Sequence, residues 1–138
     1  MIVYLDSSVL LRVVLGQAGS LREWRSIDRA VASELVEVES LRTLDRLRLA
    51  ERLPDEQIAS RREAVYRLLE SVEIVEPNRS VLQRASQPLP TSLGTLDAIH
   101  LATALLWREK TGTDLAMATH DDALATAARA SGLRVLGA

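Results

Sequence analysis

The stretch Ile2-Val3-Tyr4-Leu5-Asp6-Ser7-Ser8-Val9-Leu10-Leu11 decides the fold. Four apolar or aromatic residues end at an acid, and from Ser7 apolar positions recur at helical spacing as far as Leu15, before Gly16. That reads as strand, turn and helix, with Asp6 at the junction. The same punctuation returns along the chain. After a polar Gly16 to Arg29 segment with a short helix expected around Leu21 to Ile27, Ala30 to Ala32 forms a brief strand and Ser33 an N-cap. Leu35, Val38, Leu41 and Leu44 then mark one face of a long helix to about Arg52. Pro54, Asp55 and Glu56 open a second helix to about Ser71, which closes a helical hairpin.

Val72 to Val75 is the next strand, Ser80 to Ser86 a short helix, and Gln87 to Gly94 a breaker-rich loop. Thr95 caps an apolar helix to Lys110, Gly112 stops it, and Leu115 to Ala118 is a strand. Asp121 to Ser131 is a further helix ended by Gly132, and Arg134 to Leu136 a last strand. Strand and helix alternate throughout, so a mainly parallel sheet covered on both faces is expected.

Composition narrows the classes. A chain of 138 residues, 47% hydrophobic, suffices for one compact domain, residues 1–138, without internal repeats. It has no cysteine, which excludes disulfide scaffolds, thiolate metal sites and cysteine nucleophiles. Seventeen basic residues against nineteen acidic ones give a net charge of −2, so a polyanion must be recruited locally rather than by the whole surface. Lys110 is the only lysine. The apolar run Ala98 to Trp107 is interrupted by His100 and Thr103 and falls short of the ~20 residues of a membrane span. With no basic leader before Asp6, a cytoplasmic location is the expectation.

Ligand sites of open parallel sheets lie outside the carboxyl ends of the strands. Asp6 follows the first strand, and Asp121 follows the fourth through Thr119 and His120, so both are expected on one rim. Asp114 precedes that fourth strand and falls on the opposite rim, roughly 13 Å away at ~3.3 Å per residue. Glu39 lies about 40° from Leu35 on the helical wheel, beside the apolar face. Asp97 shares the core face of its helix with Leu101 and Ala104. Buried acids need partners, and the hard-donor solution for converging carboxylates is a divalent cation. The competing reading makes Asp6 and Asp121 helix N-caps and Asp97 a complement to a helix dipole. Glu34, Glu37 and Asp122 read as solvated or first-turn charges, and His100 as a structural residue that hydrogen-bonds nearby backbone or a carboxylate rather than a ligand. His120 is a weaker candidate still.

These blocks carry a resemblance: the strand into Asp6-Ser7-Ser8, the run Ser33 to Arg42 (SELVEVESLR), Leu96 to Ala104 (LDAIHLATA), and Ala118-Thr119-His120-Asp121 before an alanine-rich helix and Gly132. Together they resemble the PIN-domain ribonuclease toxins of the VapC type, over essentially the whole chain. The resemblance implies a three-layer α/β/α fold with a five-stranded parallel sheet. It implies an endoribonuclease dependent on Mg²⁺ or Mn²⁺, dimerisation, and pairing with a VapB-like antitoxin. It makes Asp6, Glu39 and Asp97 the central acids and Asp121 the more variable fourth, with Ser8 and Thr119 as small polar residues that position substrate or water. His120 departs from the family pattern, standing where an aromatic is frequent. The segment from Asp97 to Asp121 departs too, being somewhat long.

By this resemblance water attacks the phosphodiester and leaves 5′-phosphate and 3′-hydroxyl ends. Arg12, Arg22, Arg25, Arg29 and Arg42 are the local candidates for binding RNA, a few of them antitoxin instead, while solvated surface is the better reading for most. Two rivals differ in class. A phosphoryl-accepting receiver domain needs a lysine at a late strand end and paired acids after the first strand. A non-cleaving PIN-like binding domain retains the fold without the chemistry.

Overall fold

The computed structural model describes residues 1–138. Five strands, β1 (Ile2–Leu5), β2 (Arg29–Ser33), β3 (Val72–Val75), β4 (Ala116–Ala118) and β5 (Arg134–Leu136), form one sheet in the order β3-β2-β1-β4-β5. Every neighbouring pair is parallel. The helices between them are α1 (Ser7–Val14), α2 (Leu35–Glu51), α3 (Asp55–Leu69), α4 (Arg79–Ala85), α5 (Thr95–Thr111) and α6 (Asp122–Ala130).

Strand alternation sorts the core into two layers. Tyr4, Val31 and Met117 point to one face and are buried with Leu101, Leu105 and Trp107 of α5 and Leu124 of α6. Val3, Leu5, Ala32 and Ala118 point to the other and are buried with Val9 and Leu10 of α1, Val36 and Leu44 of α2, and Val65 of α3. The sheet is thus sandwiched between helices, as the resemblance implied.

β1 sits in the middle of the sheet. From it the chain builds outward through β2 and β3, then returns across β1 to place β4 and β5. The order therefore reverses between β1 and β4, and a crevice opens at their carboxyl ends.

Several boundaries differ from the sequence reading for local reasons. Ser33 is the last residue of β2 rather than a residue outside the sheet, yet its Oγ still accepts the Leu35 N–H at 3.2 Å. Gly94, not Thr95, occupies the N-cap of α5 in an extended conformation. Asn78 caps α4 by accepting the Val81 N–H at 3.0 Å, which starts that helix at Arg79. Of the helix expected around 21–27 only a 3₁₀ turn, Trp24–Ser26, forms. Gly112 ends α5 at φ 65°, a left-handed geometry that glycine adopts without a Cβ clash. No helix is long and apolar enough to cross a membrane.

Candidate active site

Register explains how Asp6 meets its partners. Leu5 of β1 pairs with Ala118 of β4, and one step further places Asp6 opposite Thr119. Thr119 Oγ1 donates to Asp6 Oδ2 at 2.8 Å, and Ser8 Oγ donates to the same oxygen at 2.7 Å. Each hydroxyl also accepts a backbone N–H, Ser8 from His120 at 3.0 Å and Thr119 from Asp121 at 3.0 Å. The Asp6 N–H is taken by the Ala118 carbonyl at 3.0 Å. Asp6 is 4% exposed and makes no side-chain cap to α1, so the capping reading does not hold for it. Both hydroxyl protons point at Asp6 Oδ2.

Asp121 divides between the two readings. It is exposed, follows β4, and its Oδ1 accepts the Leu124 N–H at 2.8 Å as the N-cap of α6. Its second oxygen makes no hydrogen bond within the chain.

Glu39 and Asp97 approach from the helices. Glu39 lies in the second turn of α2 and Asp97 in the first turn of α5, both half-buried. His100, one turn along α5 from Asp97, is fully buried and donates through Nε2 to Glu39 Oε1 at 2.5 Å. Its Nε2 also lies 3.9 Å from Asp6 Oδ1. Of the two partners open to His100 from the sequence, backbone or a carboxylate, the structure shows the carboxylate of Glu39. On the other ring nitrogen, Nδ1 is 2.7 Å from Tyr4 Oη, which in turn accepts the Ser33 N–H at 3.2 Å.

The charges report the same proximity. Burial pushes the Asp97 carboxyl up to about 6, and the neighbouring charges of Asp121, Asp6 and Glu39 push the same way, against a smaller opposing effect of His100. For His100, burial draws the imidazole down. The Glu39 hydrogen bond and the charges of Glu39, Asp6 and Asp97 outweigh it and hold the pKa above its ordinary value. Tyr4 is raised far enough by burial to stay a phenol.

No arginine or lysine pairs with Asp6, Glu39, Asp97 or Asp121; the arginines that form ion pairs, Arg29, Arg42, Arg48, Arg67 and Arg84, do so with acids elsewhere. Nor do three of the site's side chains close into a ready metal cage. The donor set is carboxylate oxygen, which suits a hard divalent ion.

Beside Glu39, a groove of about 400 Å³ is lined by Ser7, Val38, Glu39, Arg42, Arg46 and Leu96. Of the arginines marked from sequence, Arg42 alone sits next to an acid of the set. Arg29 starts β2 on the opposite rim and pairs with Glu73 at 3.2 Å, because a residue at a strand start cannot reach the carboxyl ends. Arg12 donates to the Gly19 carbonyl at 3.3 Å, and Arg25 lies in the 3₁₀ turn. Arg22 lines a separate hollow with His120. A further hollow, lined by Leu5, Trp24, Ile27, Leu68 and Val72 together with Asp28 and Ser71, contains none of the four acids. Lys110 lies in the last turn of α5, away from any strand end, which removes the receiver-domain reading.

Tyr4 and Arg46 escaped the sequence reading. Both left a signal: a chain with no phenylalanine places one of its two tyrosines in the buried central strand, where the hydroxyl must find a partner. Arg46 lies seven residues from Glu39, on the same helical face.

A PIN-domain profile matches residues 3–130. The chain is 35% identical over 138 residues to Ribonuclease VapC46 of Mycobacterium tuberculosis (strain ATCC 25618 / H37Rv), covering 97% of this chain and 95% of that protein. Its fold is similar to the VapBC2 complex of Rickettsia felis bound to a DNA fragment from their promoter, with TM-score 0.68 at 11% identity over 98% and 97% of the two chains. It is also similar to VapC20 of Mycobacterium tuberculosis, a sarcin-ricin-loop-cleaving toxin, with TM-score 0.61 at 18% identity over 91% and 94%. On its own sequence and its fold together, the chain belongs to the PIN-domain family, among the members of the VapC type.

Proposed function

We propose that this chain is the endoribonuclease toxin of a VapBC-type module, and that Asp6, Glu39, Asp97 and Asp121 hold Mg²⁺ or Mn²⁺ while RNA is hydrolysed. One observation supports this above the rest. Asp97 is held near pKa 6 among acids that no basic side chain neutralises except the single imidazole of His100. Uncompensated carboxylates at a sheet's switch point are a cost to the fold that a cation removes. A bound divalent ion supplies there an acidified water and neutralisation of phosphoryl charge.

The chain's own residues divide the remaining work. Ser8 and Thr119 fix Asp6 through Oδ2, which leaves Oδ1 for the centre. Asp121 keeps one oxygen on the α6 cap and offers the other. Asp97 brings a carboxylate from the first turn of α5, and Glu39 orients the attacking water or holds a second ion. Arg42 and Arg46, lining the groove beside Glu39, hold phosphates that flank the scissile bond. In this reading Ser8 and Thr119 position the site through Asp6 rather than by touching substrate.

A VapB-like antitoxin is the partner we infer, with a homodimer as the toxin's assembly and the cytoplasm as its location. The Rickettsia felis neighbour is such a VapBC complex. The test uses antitoxin-free protein and total cellular RNA. Wild type cuts with Mg²⁺ or Mn²⁺, stops with chelator, and leaves 5′-phosphate and 3′-hydroxyl ends. Asp6→Asn folds and loses about 10³-fold or more of the rate. Cleavage that survives chelator, or 2′,3′-cyclic phosphate ends, contradicts the proposal.

A further inference from the structure

Glu39 is a long, flexible side chain placed among acids that repel it, and fixing it in one rotamer costs side-chain entropy. Something must hold it. What the structure offers is a chain of buried hydrogen bonds that begins on the backbone of β2. Ser33 N–H donates to Tyr4 Oη at 3.2 Å, beyond the last β1–β2 pairing at Tyr4 and Val31. Tyr4 Oη and His100 Nδ1 are 2.7 Å apart, and His100 Nε2 and Glu39 Oε1 are 2.5 Å apart.

The direction of this chain is fixed by what each group can donate. A carboxylate only accepts, so the His100 Nε2 carries the hydrogen. Tyr4 Oη accepts from the Ser33 N–H, and in the neutral imidazole with hydrogen on Nε2 the Nδ1 is left as the acceptor for the tyrosine's own proton. The two rings also pack edge to face, with centroids 5.8 Å apart at 70°, inside a core that leaves both fully buried. Tyr4 and His100 have no packing reason to be polar at these positions. Phenylalanine and leucine fill similar volumes without requiring partners.

We propose that Tyr4 and His100 are positioning residues which clamp Glu39 by Oε1, leaving Oε2 as the one oxygen that serves the catalytic centre. This rests on the nuclease reading for what Glu39 does, but the clamp itself is a property of the metal-free fold. It ties the carboxyl end of β2, the centre of β1, α5 and α2 to one carboxylate. A displacement of any of these elements is felt at Glu39. Positioning partners of this kind are worth about 10- to 100-fold in metal affinity or rate.

The test compares wild type with Tyr4→Phe, His100→Leu and His100→Gln at a temperature where circular dichroism shows all of them folded. Long-range ¹H–¹⁵N correlation of the metal-free protein should show His100 as the single Nε2–H tautomer, and Tyr4→Phe should disturb that signature. Mn²⁺ affinity and kcat should fall about 10- to 100-fold in Tyr4→Phe and His100→Leu, with KM for RNA little changed. His100→Gln, whose amide N–H still reaches Glu39, should recover part of that loss while being no more stable than His100→Leu. An Nδ1–H tautomer, or Mn²⁺ affinities equal to wild type in all folded variants, overturns the clamp. Should wild type cut no RNA, the nuclease reading falls, while the tautomer and the Mn²⁺ affinities still decide the clamp.

Discussion

The two rims of the sheet carry the same residue types and treat them in opposite ways. At the amino rim Asp28 binds the N-terminal ammonium, and Glu73 accepts from Arg29 at 3.2 Å and from the Trp107 Nε1 at 3.3 Å. At the carboxyl rim Asp6, Glu39, Asp97 and Asp121 share a field with a single imidazole, and none of them forms an ion pair with an arginine. The same contrast shows in the pKa values. Asp45, hydrogen-bonded by Arg48 on the surface of α2, has its carboxyl drawn below the ordinary value, whereas Asp97 is pushed up to about 6 by burial and its acidic neighbours. An acid with its own cation is a structural feature; acids left without one mark a place where a cation is expected from outside.

That contrast breaks most visibly under charge removal. Asp6→Asn and Asp97→Asn at the carboxyl rim are expected to abolish RNA cleavage, by about 10³-fold or more, while Glu73→Gln at the amino rim leaves the rate within about twofold. Initial rates on one RNA substrate check it. Equal losses at both rims would erase the distinction.

The next effect is on binding. Arg42→Ala and Arg46→Ala are each expected to raise KM for RNA severalfold and to lower the slope of log affinity against log salt by about 1, with kcat unchanged. Arg29→Ala, on the opposite rim, should leave that slope unaltered. Fluorescence anisotropy with catalytically dead protein, across a salt series, reads all three.

A smaller effect is expected in stability. A carboxyl whose pKa rises on folding holds its proton longer in the folded state, so its contribution is present below about pH 4 and is lost as pH rises through about 6. In chelator, Asp97→Asn should therefore be more stable than wild type above pH 6, and the gap should close towards pH 4. Allowing for solvent screening of a half-exposed group, the gap is on the order of 1 kcal/mol, or about 4 °C in Tm. Thermal melts across that pH range check the sign, and a wild type more stable than Asp97→Asn at pH 7 in chelator contradicts it.

How much of this was legible in the sequence follows from what each feature depends on. Strand ends were legible because apolar runs stop at Asp6 and at Thr119, so the rim could be placed without coordinates. Asp114 was rightly set on the other side by the same strand counting. Asp121 kept two readings from sequence, and the structure supports its cap without removing its free oxygen. The clamp on Glu39 was not legible, since it depends on which face of β1 Tyr4 presents and on which helix covers that face. Arg29 was grouped with the site by its charge, although the strand counting that set Asp114 on the other rim applies equally to a residue at the start of β2. Ser33 and Thr95 were misplaced by a residue because capping propensity names the residue type but not where the strand or helix ends.

The proposed occupancy of the carboxyl rim is read most directly by calorimetric titration of antitoxin-free protein with Mn²⁺. Wild type should bind with an affinity that Asp97→Asn and Asp6→Asn each weaken at least about tenfold, while Glu73→Gln binds as wild type does. Wild type that takes up no Mn²⁺, or that binds it equally well without Asp97, would contradict a cation held by these acids.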